Sequence, residues 1–588
     1  MNLRWSLDEL YTDFETKEFK EDIAKFEVAL EDFSVLVNNI TKDHQDKQNK
    51  LEEYIRFYSN FSALVGKLFS YCNLITSVDT KNKVAQNNLE ELENKITFVS
   101  EPSAKFSKWL GSIDNLEELI NKSHLLSQHQ FYLKEMKAKS KYVLDEKTEY
   151  ILAKLKNTGS NSWGKLKDLL TSSLLVDINL AGEDKKLPLT VIRNMAYDKD
   201  GSVRKKAYEA ELKAYEKVED SVAAALSSIK GESLTTSKLR GYNSILEETL
   251  INSRMDRESL DAMLAAIKEY LPAFRKFYRK KAELLGHTSG LPFYELFAPM
   301  GTTDMSYTYE EARDFINLNF RTFSDKLADY ALKAFNNRWI DAEPREGKVG
   351  GAFCSNIHSI KESRIMSNFS GSFSDVVTLS HELGHGYHGY CLDEETELNS
   401  DYPMPIAETA STFCETIVKK AAIKNGSKEE AFTILEAELS DCGQVIVDIY
   451  SRYIFETKLF EAREKNSVTA EELKEIMLEA QKEAYGDGLD ENVLHPYMWL
   501  CKPHYYYTDA HFYNFPYAFG VLFSKGLYAE YLKKGEAFVK DYDKLLSVTG
   551  KNNLADITQL IGIDIHDINF WRSSLKIVEE DIETFISL

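Results

Sequence analysis

Apolar residues recur at spacings of three and four along most of this 588-residue chain, as in LEEYIRFYSNFSALVGKLFSYCNLI at 51–75. That spacing places them on one face of an α-helix. Residues that break helices are scarce, with 27 glycines and 11 prolines. A chain of this length also buries enough surface to be stable without disulfides or a structural metal. The sequence therefore predicts a mainly α-helical protein in which a bound metal ion would serve chemistry rather than stability.

Three stretches interrupt the helical pattern. Residues 174–191 predict two short strands about a Gly-Glu-Asp turn, and residues 345–372 predict short strands with a tight turn. The polar sequence NTGSNSWG, around 156–163, predicts a loop. We place a domain boundary near 195, with an N-terminal helical lobe at 1–195 and a second domain at 196–588.

Charge and cysteine usage narrow the class of protein. The 94 acidic residues outnumber the 72 lysines and arginines, so the net charge of −22 disfavours nucleic acid and anionic membranes as partners. The six cysteines form no C-x-x-C pair, which is typical of a reducing compartment. The N-terminus lacks the apolar core of a signal peptide, and we find no run of 18 apolar residues. A soluble cytoplasmic protein is expected, whose oligomeric state the sequence leaves open.

Half of the twelve histidines fall in two short windows. They are His381, His385 and His388 in the first window and His495, His504 and His511 in the second. The first window, SHELGHGYHGY at 380–390, contains the pattern H-E-x-x-H. Ser372 and Asp375 precede it at the spacing of a capping box, which predicts a helix that runs through the window.

The two histidines of H-E-x-x-H, His381 and His385, lie one helical turn apart and can reach the same metal ion. A catalytic zinc site uses three protein ligands and leaves the fourth position to water, whose proton the neighbouring Glu382 can accept. Burying two histidines and a glutamate on an apolar helix is costly unless they are paired or bind metal. We therefore predict one Zn²⁺ per chain; the alternative is a hydrogen-bonded core cluster without metal.

The third zinc ligand must come from elsewhere. His388 lies two turns beyond the first ligand, which favours a place beside the site or in a cleft over ligation. A metzincin would need a histidine where Cys391 stands. Glu408, in the first turn of the next predicted helix, is the preferred ligand, although glutamate is common at helix starts without metal. Glu415 on the same face is either a hydrogen-bond acceptor for a ligand histidine or a solvated residue.

Glycines at 384, 386 and 389 stand within the predicted metal helix. Each glycine costs about 1 kcal/mol relative to alanine in a helix. Their presence predicts that other parts of the chain pack closely against this helix.

A second region of interest, residues 495–520, concentrates aromatic side chains and three histidines. Tyr513 and Tyr517 are four residues apart, so on one helical face their hydroxyls could converge on a developing oxyanion. His504 is a third candidate for this catalytic role. The other residues are expected to pack: Tyr505, Tyr506 and Tyr507 in an aromatic core, and His495 and His511 in the interior or against substrate.

The strand-like sequence RIMSNFSG at 364–371 immediately precedes the metal helix. It is either a free sheet edge that pairs with the backbone of an extended peptide or an ordinary buried strand.

Five segments together resemble the M3 family of zinc oligopeptidases, and specifically its oligoendopeptidase F branch. They are RWSLDELY at 4–11, GKVGGAFCSN at 347–356, TLSHELGHGYHG at 378–389, IAETASTFCE at 406–415 and HFYNFPYAFG at 511–520. The resemblance implies a helical ellipsoid with a deep cleft, a thermolysin-like zinc core with a small β-sheet, and endo-cleavage of short unfolded oligopeptides. It makes 196–588 the metallopeptidase catalytic domain.

Carried over residue by residue, the resemblance gives zinc to His381, His385 and Glu408 and the general base to Glu382. Members of the family also use a downstream histidine and tyrosine pair to hold the substrate carbonyl oxygen. This chain has Asp509 where more distant members place another tyrosine, which leaves the donor open among His504, Tyr513 and Tyr517. Two alternatives remain, a zinc carboxypeptidase on a related fold and a non-catalytic helical peptide-binding protein.

Overall fold

The computed structural model describes residues 2–301 and 305–588 and is dominated by helices, as predicted. In chain order the first are α1 (Lys17–Thr41), α2 (Lys47–Val78), α3 (Lys83–Ile96), α4 (Ser100–Gly111), α5 (Leu116–Lys122), α6 (His124–Gln128), α7 (Gln130–Ser140), α8 (Glu146–Thr158), α9 (Ser160–Ser172), α10 (Leu189–Asn194), α11 (Gly201–Tyr215), α12 (Glu219–Arg240), α13 (Ile245–Asn252) and α14 (Arg257–Leu284). They continue with α15 (Tyr309–Phe323), α16 (Asp325–Asn336), α17 (Phe373–Cys391), α18 (Met404–Ala407), α19 (Thr409–Asn425), α20 (Lys428–Cys442), α21 (Ile449–Lys465), α22 (Ala470–Tyr485), α23 (Met498–Cys501), α24 (Phe515–Lys534), α25 (Ala537–Leu546), α26 (Leu554–Gln559) and α27 (Ile568–Ser587).

The chain divides into two compact units, each assembled from three separate stretches. Unit 1 comprises Met1–Glu146, Asp304–Ala421 and Glu530–Ile563, and unit 2 comprises Lys147–Thr303, Ala422–Ala529 and Asp564–Leu588. Neither unit is a continuous segment, because chain segments distant in sequence pack together in both. The boundary that the sequence predicts near 195 stays a prediction.

Strands β1 (Leu175–Leu180) and β2 (Glu183–Pro188) form an antiparallel hairpin in unit 2, which confirms the two strands predicted at 174–191. The connecting residues are Ala181 and Gly182, whose φ angles are 52° and 87°. Two consecutive positive φ angles are typical of the tight turn that matches the twist of a hairpin. The turn therefore lies one residue before the predicted Gly-Glu-Asp sequence.

A three-stranded sheet in unit 1 has the order β3-β5-β4. Its strands are β3 (Ile340–Asp341), β4 (Phe353–Ile357) and β5 (Glu362–Met366), with β5 parallel to β3 and antiparallel to β4. Because β5 is central, the strand just before the metal helix is not the free edge that the sequence left as one option. The outer strands β3 and β4 each pair with β5 only among the described strands, and β4 is the longer of the two edge strands.

The loop predicted at 156–163 is wrong. Helix α8 ends at Thr158 and α9 begins at Ser160, so only Gly159 separates them. The Glu232 carboxylate accepts hydrogen bonds from the Ser160 backbone N–H (2.8 Å) and side-chain hydroxyl (2.5 Å). Glu232 therefore accepts a backbone hydrogen bond at the N-terminus of α9, where a local capping residue would otherwise do so. The local sequence does not reveal this interaction.

Among the described residues, one helix, α2, is long and apolar enough to cross a membrane by length and composition. Its buried side chains include Leu51, Phe61 and Leu68, and they belong to two hydrophobic clusters of unit 1. A single such helix that contributes to a core is also typical of soluble proteins and is weak evidence for a membrane span.

Candidate active site

Helix α17 carries the H-E-x-x-H residues and begins at the predicted capping box. The Ser372 hydroxyl accepts from the Asp375 backbone N–H, and the Asp375 carboxylate accepts from the Ser372 backbone N–H. Val376, Leu379 and Leu383 are fully buried and fix the rotation of the helix. That rotation places His381 and His385 together on the same side of α17.

The three predicted metal ligands converge within unit 1. The Nε2 atoms of His381 and His385 lie 3.1 Å apart, and each is 3.3 Å from Oε2 of Glu408. Donor atoms around a tetrahedral zinc ion lie ~3.3 Å apart. The donor set and its spacing therefore fit a zinc ion. Glu408 stands between α18 and α19, so the continuous helix predicted there is interrupted at the ligand itself.

The side chains of Glu415 and Ser411 form hydrogen bonds with two of the predicted ligands. Glu415 accepts a hydrogen bond from Nδ1 of His381 at 2.5 Å and pairs with Lys419 at 2.6 Å, so it is not simply a solvated residue. The Ser411 hydroxyl donates to Oε2 of Glu408 at 2.9 Å. Such contacts orient metal ligands and raise their basicity.

The electrostatics of the cluster favour a cation at its centre. Burial alone would lower the pKa of His381, but hydrogen bonds to Glu408 and Glu415 raise it to about 10. Burial alone would raise the pKa of Glu408, yet the two facing imidazoles lower it well below its usual range. Two imidazole nitrogens 3.1 Å apart cannot both direct lone pairs at each other without a proton or metal ion between them.

Glu382 lies on the same helix and is only 5% exposed. Burial raises the pKa of its carboxyl group. Its Oε2 has no hydrogen-bond partner among the described residues. A buried carboxylate oxygen without a protein partner is costly and is satisfied when a water or ligand occupies the adjacent space.

The second group of candidates lies in unit 2. The ring of His504 is 5.2 Å from that of Tyr513 and 6.1 Å from that of Tyr517, and the two tyrosine rings are 5.9 Å apart. Helix α24 begins at Phe515, so Tyr513 lies in the turn before it and does not share a helical face with Tyr517. The rings nevertheless form one group because the turn folds Tyr513 back.

The sequence treated Tyr505, Tyr506 and Tyr507 as one core set, and this is correct only for the first two. Tyr505 and Tyr506 are buried, whereas Tyr507 is 39% exposed. The Tyr507 ring lies 5.4 Å from the rings of both His504 and Tyr513. Tyr507 is therefore a fourth member of the aromatic group. A run of three consecutive tyrosines does not show which of them is buried, so the sequence could not separate Tyr507 from the other two.

Comparison with known sequences decides the family. The model described as Peptidase family M3 matches residues 194–577, and the model described as Oligopeptidase F matches residues 112–175. The chain belongs to peptidase family M3. It is accordingly a metallopeptidase, a hydrolase of peptide bonds, and it falls in the oligoendopeptidase F branch that the sequence motifs indicate.

Relatives of this M3 peptidase match along nearly the whole chain. Oligopeptidase PepF of Bacillus subtilis is 24% identical over 551 residues, covering 92% of this chain and 81% of its own. An oligoendopeptidase F homolog of Lactococcus lactis is 25% identical over 604 residues, covering 98% and 96% of the two chains.

Solved structures share the fold. A putative peptidase from Chlamydophila abortus has a TM-score of 0.85 at 21% identity and covers 99% of this chain and 98% of its own. Oligoendopeptidase-F from Enterococcus faecium has a TM-score of 0.71 at 17% identity and covers 97% and 98%. The mainly α-helical fold with small sheets is therefore shared with M3 structures.

Three further histidines of this M3 peptidase are interior residues. His388 is fully buried, stacks on Tyr402 at 4.0 Å and has Nε2 2.8 Å from the Thr549 hydroxyl, and burial lowers its pKa to about 3. His511 is buried 3.3 Å from Lys230. His495 is buried with Nε2 3.6 Å from Glu211. The interior alternative that the sequence held open for His495 and His511 is the one observed.

His495, Glu211 and Cys501 are also close enough to hold a metal ion. Their contacts converge instead on one oxygen, Oε1 of Glu211, which also accepts from the Tyr215 hydroxyl at 2.7 Å and pairs with Arg193 at 3.2 Å. Burial raises the pKa of the Cys501 thiol to about 11. A carboxylate already neutralised by a guanidinium, beside a protonated thiol, is a poor cation site.

The helix glycines of α17 are explained by close neighbours, as predicted. A Cβ at Gly386 would lie 2.1 Å from the Tyr330 hydroxyl, and one at Gly389 would lie 2.4 Å from the Asn356 side chain. Asn356 also donates from Nδ2 to the His385 carbonyl at 3.0 Å. The sequence pattern does not mark Asn356 as a support of the ligand helix, although Gly389 indicates a close neighbour there.

We expect Gly384→Ala to destabilise the protein by about 3 kcal/mol. The added Cβ would lie 2.5 Å from the Ala410 carbonyl oxygen and 2.6 Å from Cα of Ser411, backbone atoms that cannot move without shifting Glu408. Urea midpoints measure the loss. The control Gly66→Ala in α2, whose Cβ would meet nothing nearer than 3.9 Å, should gain up to about 1 kcal/mol. Equal midpoints for Gly384→Ala and wild type would contradict the close packing.

Proposed function

We propose that this M3 peptidase is a zinc-dependent endopeptidase that hydrolyses internal bonds of short, unfolded oligopeptides in the cytoplasm. The observation that carries the proposal is the convergence of two imidazole nitrogens and one carboxylate oxygen within 3.3 Å of one another. His381, His385 and Glu408 would hold one zinc ion per chain. When bound, zinc lowers the pKa of a water ligand and polarises the scissile carbonyl.

Glu382 is proposed as the general base. Its unpartnered buried oxygen is available to take a proton from the attacking water and to return it to the leaving amine. Burial, which raises its pKa, brings the carboxyl group closer to the pKa at which proton transfer in both directions is efficient near neutral pH.

Glu415 is proposed to orient the first ligand. It accepts the Nδ1 proton of His381 at 2.5 Å, which leaves the Nε2 lone pair directed at the cluster centre. Lys419 neutralises the other Glu415 oxygen at 2.6 Å and keeps this carboxylate ionised.

From the family resemblance, at least one of His504, Tyr513 and Tyr517 is proposed to donate a hydrogen bond to the carbonyl oxygen of the substrate. The free edge of β4 is proposed to pair with the backbone of an extended peptide, which tolerates many side chains. Backbone pairing suits an enzyme that degrades varied oligopeptides. The catalytic domain is proposed to span 196–588, after the helical lobe at 1–195.

An internally quenched peptide blocked at both ends tests the proposal. We expect the purified enzyme to cleave it, to lose activity with a chelator and to regain activity with zinc. Cleavage only of peptides with a free carboxyl end would indicate a carboxypeptidase instead. If mass spectrometry shows that no peptide of a mixed library is hydrolysed, the remaining alternative is a non-catalytic peptide-binding protein. The same library reports the length of accepted substrates.

A further inference from the structure

A buried polar chain in unit 2 ends at His504. Oδ1 of Asn514 lies 2.8 Å from Nδ1 of His504 and 3.2 Å from Nη1 of Arg452. Asn514 is only 3% exposed, so its amide has little access to water as an alternative partner. One oxygen therefore faces both the guanidinium and the imidazole.

The donor and acceptor roles along this chain are fixed by Arg452. A guanidinium has donors and no acceptor, so the Asn514 atom that faces it must be the amide oxygen rather than the NH₂ group. That same oxygen can only accept from His504, which must therefore carry its proton on Nδ1. A neutral imidazole has a single N–H, so its other nitrogen, Nε2, holds a lone pair.

Arg452 is itself held in place. It forms a salt bridge with Asp448, whose Oδ1 lies 3.3 Å from the Tyr485 hydroxyl. Asp448 ends a π-helical segment, Gly443–Asp448, that joins α20 to α21. Such segments are rare and occur frequently at functional sites, because they turn the following side chains away from the regular helical direction.

The surroundings of His504 favour the neutral imidazole. Burial lowers its pKa, and the cations Arg452 and Lys502 lower it further, against the opposing effects of Asn514 and Glu456. Near neutral pH the ring therefore presents an acceptor at Nε2 and no free N–H donor.

We propose that Asn514, held by Arg452, is a positioning residue that fixes neutral His504 as the Nδ1–H tautomer, so that Nε2 accepts a hydrogen bond from a backbone N–H of the bound peptide. A group that only accepts cannot stabilise a developing oxyanion. Donation to the substrate carbonyl then falls to the tyrosine hydroxyls of the aromatic group. The role of the peptide rests on the proposed function, whereas the tautomer does not.

The tautomer is measured by long-range ¹H–¹⁵N NMR on zinc-loaded protein labelled with ¹⁵N-histidine, with His504→Ala used to assign the signal. We expect a protonated Nδ1 and an unprotonated Nε2. Asn514→Leu removes the acceptor and should shift His504 toward the Nε2–H form. Asn514→Asp keeps an oxygen in the same place and should retain Nδ1–H at alkaline pH. A wild-type ring protonated on Nε2 alone would overturn the proposal.

Kinetics separate the acceptor role from the donor role. Loss of a hydrogen bond made equally in ground and transition states raises KM and spares kcat. We therefore expect His504→Ala to raise KM about 5- to 10-fold and to change kcat less than about 2-fold. A fall in kcat of about 10²-fold with unchanged KM is the signature of a lost oxyanion donor and would overturn the proposal.

Asn514→Leu should raise KM to the same extent as His504→Ala, and Asn514→Asp should restore KM at alkaline pH. Equal unfolding midpoints of the two Asn514 variants would exclude a general loss of structure as the cause of the difference in KM. If the blocked peptide is not cleaved, the proposed function fails while the NMR result still stands. If the peptide is cleaved but Nε2 carries the proton, only this inference fails.

Discussion

We expect Glu382→Gln to lower kcat by about 10³-fold while the protein stays folded and still binds zinc. The substitution keeps the size of the side chain and removes only its ability to take up a proton. The amide reaches the same buried position, where Oε2 of Glu382 has no partner among the described residues. Steady-state hydrolysis of the blocked peptide measures kcat, and elemental analysis measures zinc.

Glu394→Gln provides a matched control for charge removal. Its side chain is 96% exposed, just after α17 ends, and its one described ion pair is with Lys361 at 3.4 Å. This variant should keep full activity. If Glu382→Gln also hydrolysed the peptide at nearly the wild-type rate, Glu382 would not be the general base and the proton acceptor would have to be sought elsewhere.

We expect Glu408→Gln to weaken zinc binding more than any single change on the adjoining helices α18 and α19. Glu408 is the one anionic donor of the proposed set, and its carboxylate oxygen contacts both imidazoles at 3.3 Å. A neutral amide supplies no charge to balance the cation. We expect zinc affinity to fall by about 10³-fold or more, beyond the 10- to 100-fold typical of residues that only support a ligand.

Glu415→Gln, on the adjoining helix α19, gives the graded comparison. It removes the acceptor of His381 Nδ1 but no ligand, so we expect zinc affinity to fall about 10- to 100-fold and activity to return when zinc is added in excess. Competition with a chromophoric chelator measures both variants. Equal zinc affinity in Glu408→Gln and wild type would remove Glu408 from the ligand set.

Local periodicity was sufficient to predict the elements around the ligand helix. The predicted capping box of Ser372 and Asp375 is present, and residues at the same spacing cap helices at Thr308 with Glu311 and at Thr469 with Glu472. Capping depends on residues three apart in sequence. For the same reason the pairing of His381 with His385 could be read from their spacing on one helix.

Predictions failed, or stayed open between alternatives, where a partner came from a distant part of the chain. The polar run around Gly159 is helical on both sides because Glu232 of α12 satisfies Ser160. The sequence left open whether the strand before α17 is a free edge or a buried strand, and it is buried and central because β3 and β4 flank it. Tyr507 differs from its two neighbours only in burial. None of these contacts can be predicted from the local sequence pattern.

The sequence by itself determined the helical class, the H-E-x-x-H pair, the third-ligand candidate and the family resemblance, because each depends on residue types at short, fixed spacings. Only the tertiary structure decided that Glu408 meets both imidazoles and that the strand before the metal helix is central while β4 lies at a sheet edge. It also brought Asn514 between Arg452 and His504. Those outcomes depend on which atoms of remote segments face one another, and that is settled by packing rather than by spacing along the chain.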